Sequence, residues 1–168
     1  MPKYTAADIE LCVATHFNPR QFRLCPNISW GFTAIGHREV DLLVVPESRW
    51  CYEVEIKVTR ADIKADLKKQ HAHSGSVIRK AWFAVPSELA DDPAIPDYCG
   101  VLACSMTEGC RCHEVRGPKI NKEARKLRDD EYLKLMELMT YRVWALKRHM
   151  LMLRNDKRWA ENRKQKEA

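Results

Sequence analysis

The sequence predicts an α/β fold, and three observations predict it. Residues 40–45 (Val-Asp-Leu-Leu-Val-Val) and 52–58 (Tyr-Glu-Val-Glu-Ile-Lys-Val) read as adjacent strands, the first an apolar run and the second strictly alternating. Apolar residues at Ile9, Val13 and Phe17 recur at helical spacing ahead of them. Further short apolar runs at 81–85 and 100–105 supply more strands.

In chain order, Thr5 caps the first helix, Asp8 lies near its positive end, and Pro19 ends it. Residues 28–35 read as a first strand that Gly36 turns into the strand of Asp41. That turn carries Arg38, placed either to meet a phosphate at the mouth of a site or to pair with Glu39. Pro46-Glu47-Ser48-Arg49 reads as a hairpin loop. Thr59 to Asp62 resembles a capping box opening a helix to about His71, with Ile63 and Leu67 on its buried stripe. The strand at 81–85 closes at Pro86, residues 87–90 form a helical turn, and 91–98 is a proline-punctuated loop. Residues 100–105 and 110–115 follow as strands.

From Asp129 or Asp130, either of which can cap it, a long helix runs to about Asn155. Tyr132, Met136, Met139, Val143, Leu146, Met150 and Leu153 form a heptad seam, which packs either on the protein's own sheet or on a second copy as a homodimer. Leu135, Leu138, Trp144 and Leu151 widen that surface and favour the first use. The chain divides accordingly into an α/β core at 1–115 and a basic helical extension at 116–168.

At 168 residues the chain is long enough to bury a core without covalent staples. No run approaches the roughly 18 apolar residues of a membrane span, and residues 1–8 hold no apolar signal core, so the expectation is a cytoplasmic protein. Seven cysteines then read as reduced thiols. Cys99, Cys104, Cys110, Cys112 and His113 lack the Cys-x-x-Cys spacing of a structural metal site. His71 and His73 fall in a Gly/Ser loop, a poor setting for a metal site.

The net charge of +6 is unevenly spread. Residues 1–115 carry 13 Lys or Arg against 15 Asp or Glu, a balance of −2; residues 116–168 carry 16 against 8, a balance of +8. Clustered cations supply most sequence-independent nucleic-acid affinity, so the second segment reads as a phosphate-binding attachment, with a solvated basic tail as the alternative beyond about Trp159. Arg125, Arg128, Arg142, Lys147, Arg148 and Arg154 are its expected backbone contacts.

Glu53, Glu55 and Lys57 project from one face of their strand, in the most apolar part of the chain. Charge placed there needs compensation. A divalent metal bridging Asp41 and Glu55, with Lys57 beside it, provides it. Asp41, followed by Glu55-Ile56-Lys57, resembles the PD-(D/E)xK nuclease superfamily. The run 55–66 with Trp82-Phe83-Ala84-Val85-Pro86 is similar to its MmcB-like DNA-repair branch. The naming proline is absent, since Val40 precedes Asp41.

The resemblance covers roughly residues 5–115 and implies a restriction-endonuclease-like core: helix, three strands, helix, strand, giving a mixed sheet flanked by helices. It implies Mg²⁺, with Mn²⁺ as substitute, on Asp41, Glu55 and the carbonyl of Ile56, and Lys57 orienting or deprotonating the attacking water. It also implies that Glu10 of the first helix completes the site, and that Lys69 and Gln70 border the cleft. The expected activity is hydrolysis of DNA phosphodiester bonds in repair, recombination or restriction. The alternative is a nuclease-fold module that binds DNA or a partner without cutting.

Overall fold

The computed structural model describes residues 4–29, 31–36, 39–66, 77–106 and 109–167, without the side chains of 66, 157 and 159–167. The chain divides into two compact units, residues 1–131 and 132–168. Unit one holds a six-stranded mixed sheet: β1 (Arg23–Ile28), β2 (Val40–Val45), β3 (Cys51–Ile56), β4 (Ile78–Pro86), β5 (Gly100–Ser105) and β6 (Arg111–Arg116), in that spatial order. β1–β2–β3 form an antiparallel meander, β3, β4 and β5 run parallel, and β6 is antiparallel to β5. The β3–β4 connection carries α2 (Arg60–Asp66), as a parallel crossover requires.

Helix α1 (Ala6–Phe17) begins as the sequence predicts. Thr5 accepts the Asp8 N–H, and the Asp8 carboxylate accepts the Thr5 N–H at 2.8 Å, a reciprocal cap. Its buried stripe, Ile9, Cys12, Val13 and Phe17, packs on Leu42, Val44, Val54, Trp82, Ala84, Leu102 and Cys104. Side chains alternate along a strand, so Leu43, Glu53, Phe83 and Val101 belong to the other face. There Ile63 of α2 joins Ala81, Phe83, Val85, Ile95, Cys99 and Val101 in a second core. Unit one is therefore helix on sheet on helix.

Three expectations are corrected. The first strand is Arg23–Ile28, while residues 33–35 form a 3-10 turn. The tertiary reason is pairing: β1 aligns Arg23 with Val45 and Ile28 with Val40, and as an edge strand it tolerates Pro26. The last helix, α3 (Asp129–Glu167), runs twelve residues beyond Asn155. The apolar seam stops at Leu153, but Lys, Arg, Glu, Gln and Ala with no Gly or Pro sustain helix to the end. Finally, its start is closed by Glu131 reaching back to the Arg128 N–H at 2.9 Å, rather than by Asp129 or Asp130 as a cap. Residues 67–71 of the expected second helix lie outside the described residues.

The segment between β6 and α3 is irregular but held to the sheet. The Lys119 N–H donates to the Tyr98 carbonyl, that of Asn121 to Arg79, and that of Leu127 to Arg49. Ala124 and Leu127 are buried. In the second unit the large apolar residues Tyr141, Val143, Trp144, Leu146 and Met150 to Leu153 are exposed. Among the described residues, no helix is long and apolar enough to cross a membrane.

Candidate functional site

The site grows out of the place where β2 and β3 part. The register Leu42↔Val54 and Leu43↔Glu53, carried one step further, sets Asp41 opposite Glu55. Backbone amides alternate sides along a strand, and the Lys57 N–H points to β4, 3.0 Å from the Ala84 carbonyl. The Ile56 N–H therefore points towards β2, where the Asp41 carboxylate accepts it at 2.8 Å. A side chain thus replaces a backbone carbonyl at the last rung of the ladder.

Lys57 follows directly on β3, and its ammonium donates to the Glu55 carboxylate at 2.8 Å. Both side chains are nearly buried, 8 % and 12 % exposed. The ammonium also lies 5.7 Å from the centre of the Phe83 ring, on the neighbouring strand. Glu53, two residues back on the same face, is 1 % exposed. Asp41, Glu53, Glu55 and Lys57 therefore share the sheet face covered by α2. An ion pair in that setting recovers its desolvation only through close geometry and added contacts, here the 2.8 Å approach and the Phe83 ring.

Helix α2 begins beside this cluster. Thr59 donates to the Asp62 carboxylate from its N–H and its hydroxyl, at 2.9 and 2.8 Å. The hydroxyl bond in particular holds the Asp62 carboxyl below its ordinary range, with Lys57 adding a smaller attraction. Arg60 reaches the buried Asp92 carboxylate at 2.5 Å, tying the helix to the loop after β4. The Ala94 N–H and then Arg60 hold the Asp92 carboxyl low.

Of the residues the sequence singled out, Asp41, Glu55, Ile56 and Lys57 are brought together. Glu10 is half-buried on α1, whose apolar stripe covers the opposite face of the sheet. Arg38, Lys69, Gln70, His71 and His73 lie outside the described residues. Arg125 makes a two-pronged bond to Glu131, 2.7 Å on each arm, and Arg128 pairs with Asp130 at 3.1 Å. Both arginines are thus engaged at the start of α3. Arg142 is half-buried, whereas Lys147, Arg148 and Arg154 are exposed on that helix, with the Lys147 ammonium 4.9 Å from the Trp144 ring centre.

Phe83 is the contributor that reading by residue type passed over, whereas the Thr59–Asp62 cap was legible in the sequence. Only the parallel β3–β4 register, Glu55↔Phe83, brings that ring beneath the lysine.

Among the described residues, no group of three or more His, Cys, Asp or Glu side chains is gathered to hold a metal ion. Asp41 and Glu55 form a pair, and an oxygen pair on adjacent strands suits a hard cation that keeps several waters. The thiols lie elsewhere. Cys12 and Cys110 approach to 2.9 Å, with the Met106 sulfur 3.5 Å from Cys12, on the α1 face. Burial pushes the Cys12 and Cys51 thiols up to about 12, and the Cys112 contact with burial raises Cys104 further.

No family model matches the chain, and no curated protein matches it significantly. A solved structure is similar: SPO1766, a protein of unknown function from Silicibacter pomeroyi. It is 21% identical, with a TM-score of 0.62, over 88% of this chain and 92% of its own. At that identity the likeness concerns the fold, an α/β architecture on a mixed six-stranded sheet.

Proposed function

We propose that the protein is a metal-dependent nuclease of the PD-(D/E)xK kind that hydrolyses DNA phosphodiester bonds in repair, recombination or restriction. The observation that carries this reading is the Asp41–Ile56–Glu55–Lys57 arrangement where β2 and β3 part. The order α1, three meandering strands, α2, and a parallel β4 accords with the restriction-endonuclease-like core. The PD-(D/E)xK resemblance supplies the reaction type.

In this reading Asp41 and Glu55 hold Mg²⁺, or Mn²⁺ in its place, together with the Ile56 carbonyl. The ion supplies polarisation of the phosphate and a lowered pKa for water. Asp41 is pre-oriented by the Ile56 N–H, and Glu55 by the Lys57 ammonium, so neither carboxylate has to be ordered when substrate arrives. Lys57 orients the attacking water and offsets negative charge building on the phosphoryl oxygens. The Phe83 ring beneath it limits the access of solvent. Glu10, which the resemblance adds to the site, lies on α1 against the opposite face of the sheet and has no part in this reading. DNA is the proposed partner. The exposed Val143, Leu146, Met150 and Leu153 of α3 are where a second copy would pair.

The test is cleavage of labelled single-stranded, duplex and branched DNA in Mg²⁺ or Mn²⁺ against chelator, with wild type and Asp41→Ala side by side. Metal-dependent cutting that the variant loses is the expected result. DNA binding without cutting on every substrate would replace this reading with the non-cutting module.

A further inference from the structure

At the far end of the sheet from Asp41 and Glu55, a cavity of about 230 Å³ opens beside the first residues of β4. Arg79, Lys80, Lys119 and Tyr98 line it, with Ile120 and Asn121. Lys57 meets β4 at Ala84, three to six residues beyond the lining residues Ala81 to Ile78, so the two places are roughly 10–20 Å apart along the strand.

The cavity is built by main chain. β5 pairs with β4 only from Trp82 onward, which leaves the opening of β4 without that neighbour. The 119–121 segment takes up the position: the Asn121 N–H donates to the Arg79 carbonyl at 2.9 Å and its side-chain amide to the Ile78 carbonyl at 3.1 Å. The Lys119 N–H is fixed on Tyr98 at 2.9 Å. The walls are thereby set without help from the lysine side chains.

The charges lining it are of one sign. Elsewhere in this unit cations meet carboxylates, as in Lys57–Glu55, Arg60–Asp92 and Arg125–Glu131. Among the described residues, no carboxylate lines this cavity, and Arg79, Lys80 and Lys119 form no ion pair. Aromatic rings hold two of them: Arg79 stacks 3.8 Å from the Trp50 ring centre, and Lys80 lies 5.3 Å from Tyr52. These contacts orient cations and leave their charge uncompensated. The Tyr98 and Ile120 side chains, 42% and 51% exposed, add an apolar wall. Three like charges beside an apolar wall suit a phosphate carried on a flat ring.

We propose that this cavity is a binding site for a nucleotide phosphate. The phosphate sits among Arg79, Lys80 and Lys119, and the base or sugar lies against Tyr98. The proposal rests on the nucleic-acid reading above only for the nature of the ligand, and uses neither Asp41 nor Glu55. Two sources share this chemistry, an internal phosphodiester of a strand and the terminal phosphate of a free nucleotide.

The experiment measures binding of a labelled single-stranded oligonucleotide by fluorescence anisotropy over a salt series, in chelator so that no cleavage occurs. Wild type, Lys119→Gln, Lys80→Gln and Arg111→Gln are compared. Arg111→Gln removes one charge at the opposite end of the sheet. Lys119→Gln and Lys80→Gln should each weaken binding about 5- to 10-fold. Each should also reduce the slope of log affinity against log salt by about 0.7, the value for one lost single-strand phosphate contact. Arg111→Gln should leave the slope unchanged. Displacement of the strand by thymidine monophosphate, itself weakened in Lys119→Gln, supports the site with a terminal phosphate as ligand. Failure to displace, with the Lys119 effect present, supports it with an internal diester. Wild-type affinity and slope in Lys119→Gln would overturn the site. The cleavage test on Asp41→Ala is a separate measurement, so failure of one reading is distinguishable from failure of the other.

Discussion

Lys57 shows how much depends on a single side chain. Its ammonium is bound to Glu55 and seated over Phe83, with little exposure. Lys57→Met keeps the aliphatic stem and removes the charge. Cleavage is expected to fall by about 10²- to 10⁴-fold, the usual contribution of a positioned acid–base group. DNA binding and the far-UV circular dichroism spectrum should be retained; undiminished cutting would remove Lys57 from the mechanism. Gly100 is a second position where one atom matters. A Cβ there would run into Trp82 Cδ1 and lie 2.6 Å from its Nε1 and 2.9 Å from the Arg116 carbonyl. The indole cannot retreat freely, because its N–H donates to Glu114 at 2.8 Å. Gly100→Ala should cost about 1–3 kcal/mol through overpacking, read as a lower urea midpoint with an unchanged slope. An unchanged midpoint would mean that β4 and β5 can separate there at no cost.

At the scale of an element, the start of α3 combines a cap with an acid-sensitive ion pair. Glu131 accepts two bonds from Arg125 and one from the Arg128 N–H, and is 7 % exposed. Chiefly through Arg125, its carboxyl is held below the ordinary range. A lowered folded-state value means that the unfolded chain takes up the proton first as pH falls. The stabilisation is therefore complete above the ordinary glutamate value, about 4.3, and is lost as pH drops through the lower folded value. Glu131→Gln should lower the denaturation midpoint at pH 7, and the gap from wild type should close towards pH 3. A gap that stayed constant with pH would assign the effect to shape rather than charge. The first turn of α1 is the simpler case, since Thr5 and Asp8 announce their reciprocal cap in sequence. At α3 the sequence marks the start but offers Asp129 or Asp130 as the cap, whereas the bond comes from Glu131, which Arg125 also binds.

For the whole molecule the main issue is charge. The second unit, 132–168, carries 10 Lys or Arg against 4 Asp or Glu. Arg125 and Arg128, which the sequence groups with these cations, are occupied by acidic partners. Lys147 and Arg148 are exposed, and the proposed backbone contact falls to them and their neighbours. Lys147→Gln with Arg148→Gln should weaken duplex DNA binding and reduce its salt slope by up to about 1.8, two phosphate contacts at about 0.9 each. Equal affinity at every salt concentration would assign the helix a role other than DNA contact.

Sequence periodicity alone determined the α/β class, five of the six strands, both early helices and the grouping of Asp41, Glu55 and Lys57. Each rests on neighbours in the chain: alternation places Glu53 and Glu55 together, and cap chemistry starts α1 and α2. Long-range pairing decided the rest. The position of β1 depends on its register with β2, which is why Arg23–Ile28 won over the more apolar-looking 28–35. The bond from the Ile56 N–H to Asp41 exists because the ladder ends there, an event fifteen residues of separation cannot announce. Likewise Arg79 and Lys80 are ordinary strand residues until the 119–121 segment folds back against them. Local patterns encode which face a residue takes, and only tertiary pairing settles what it faces.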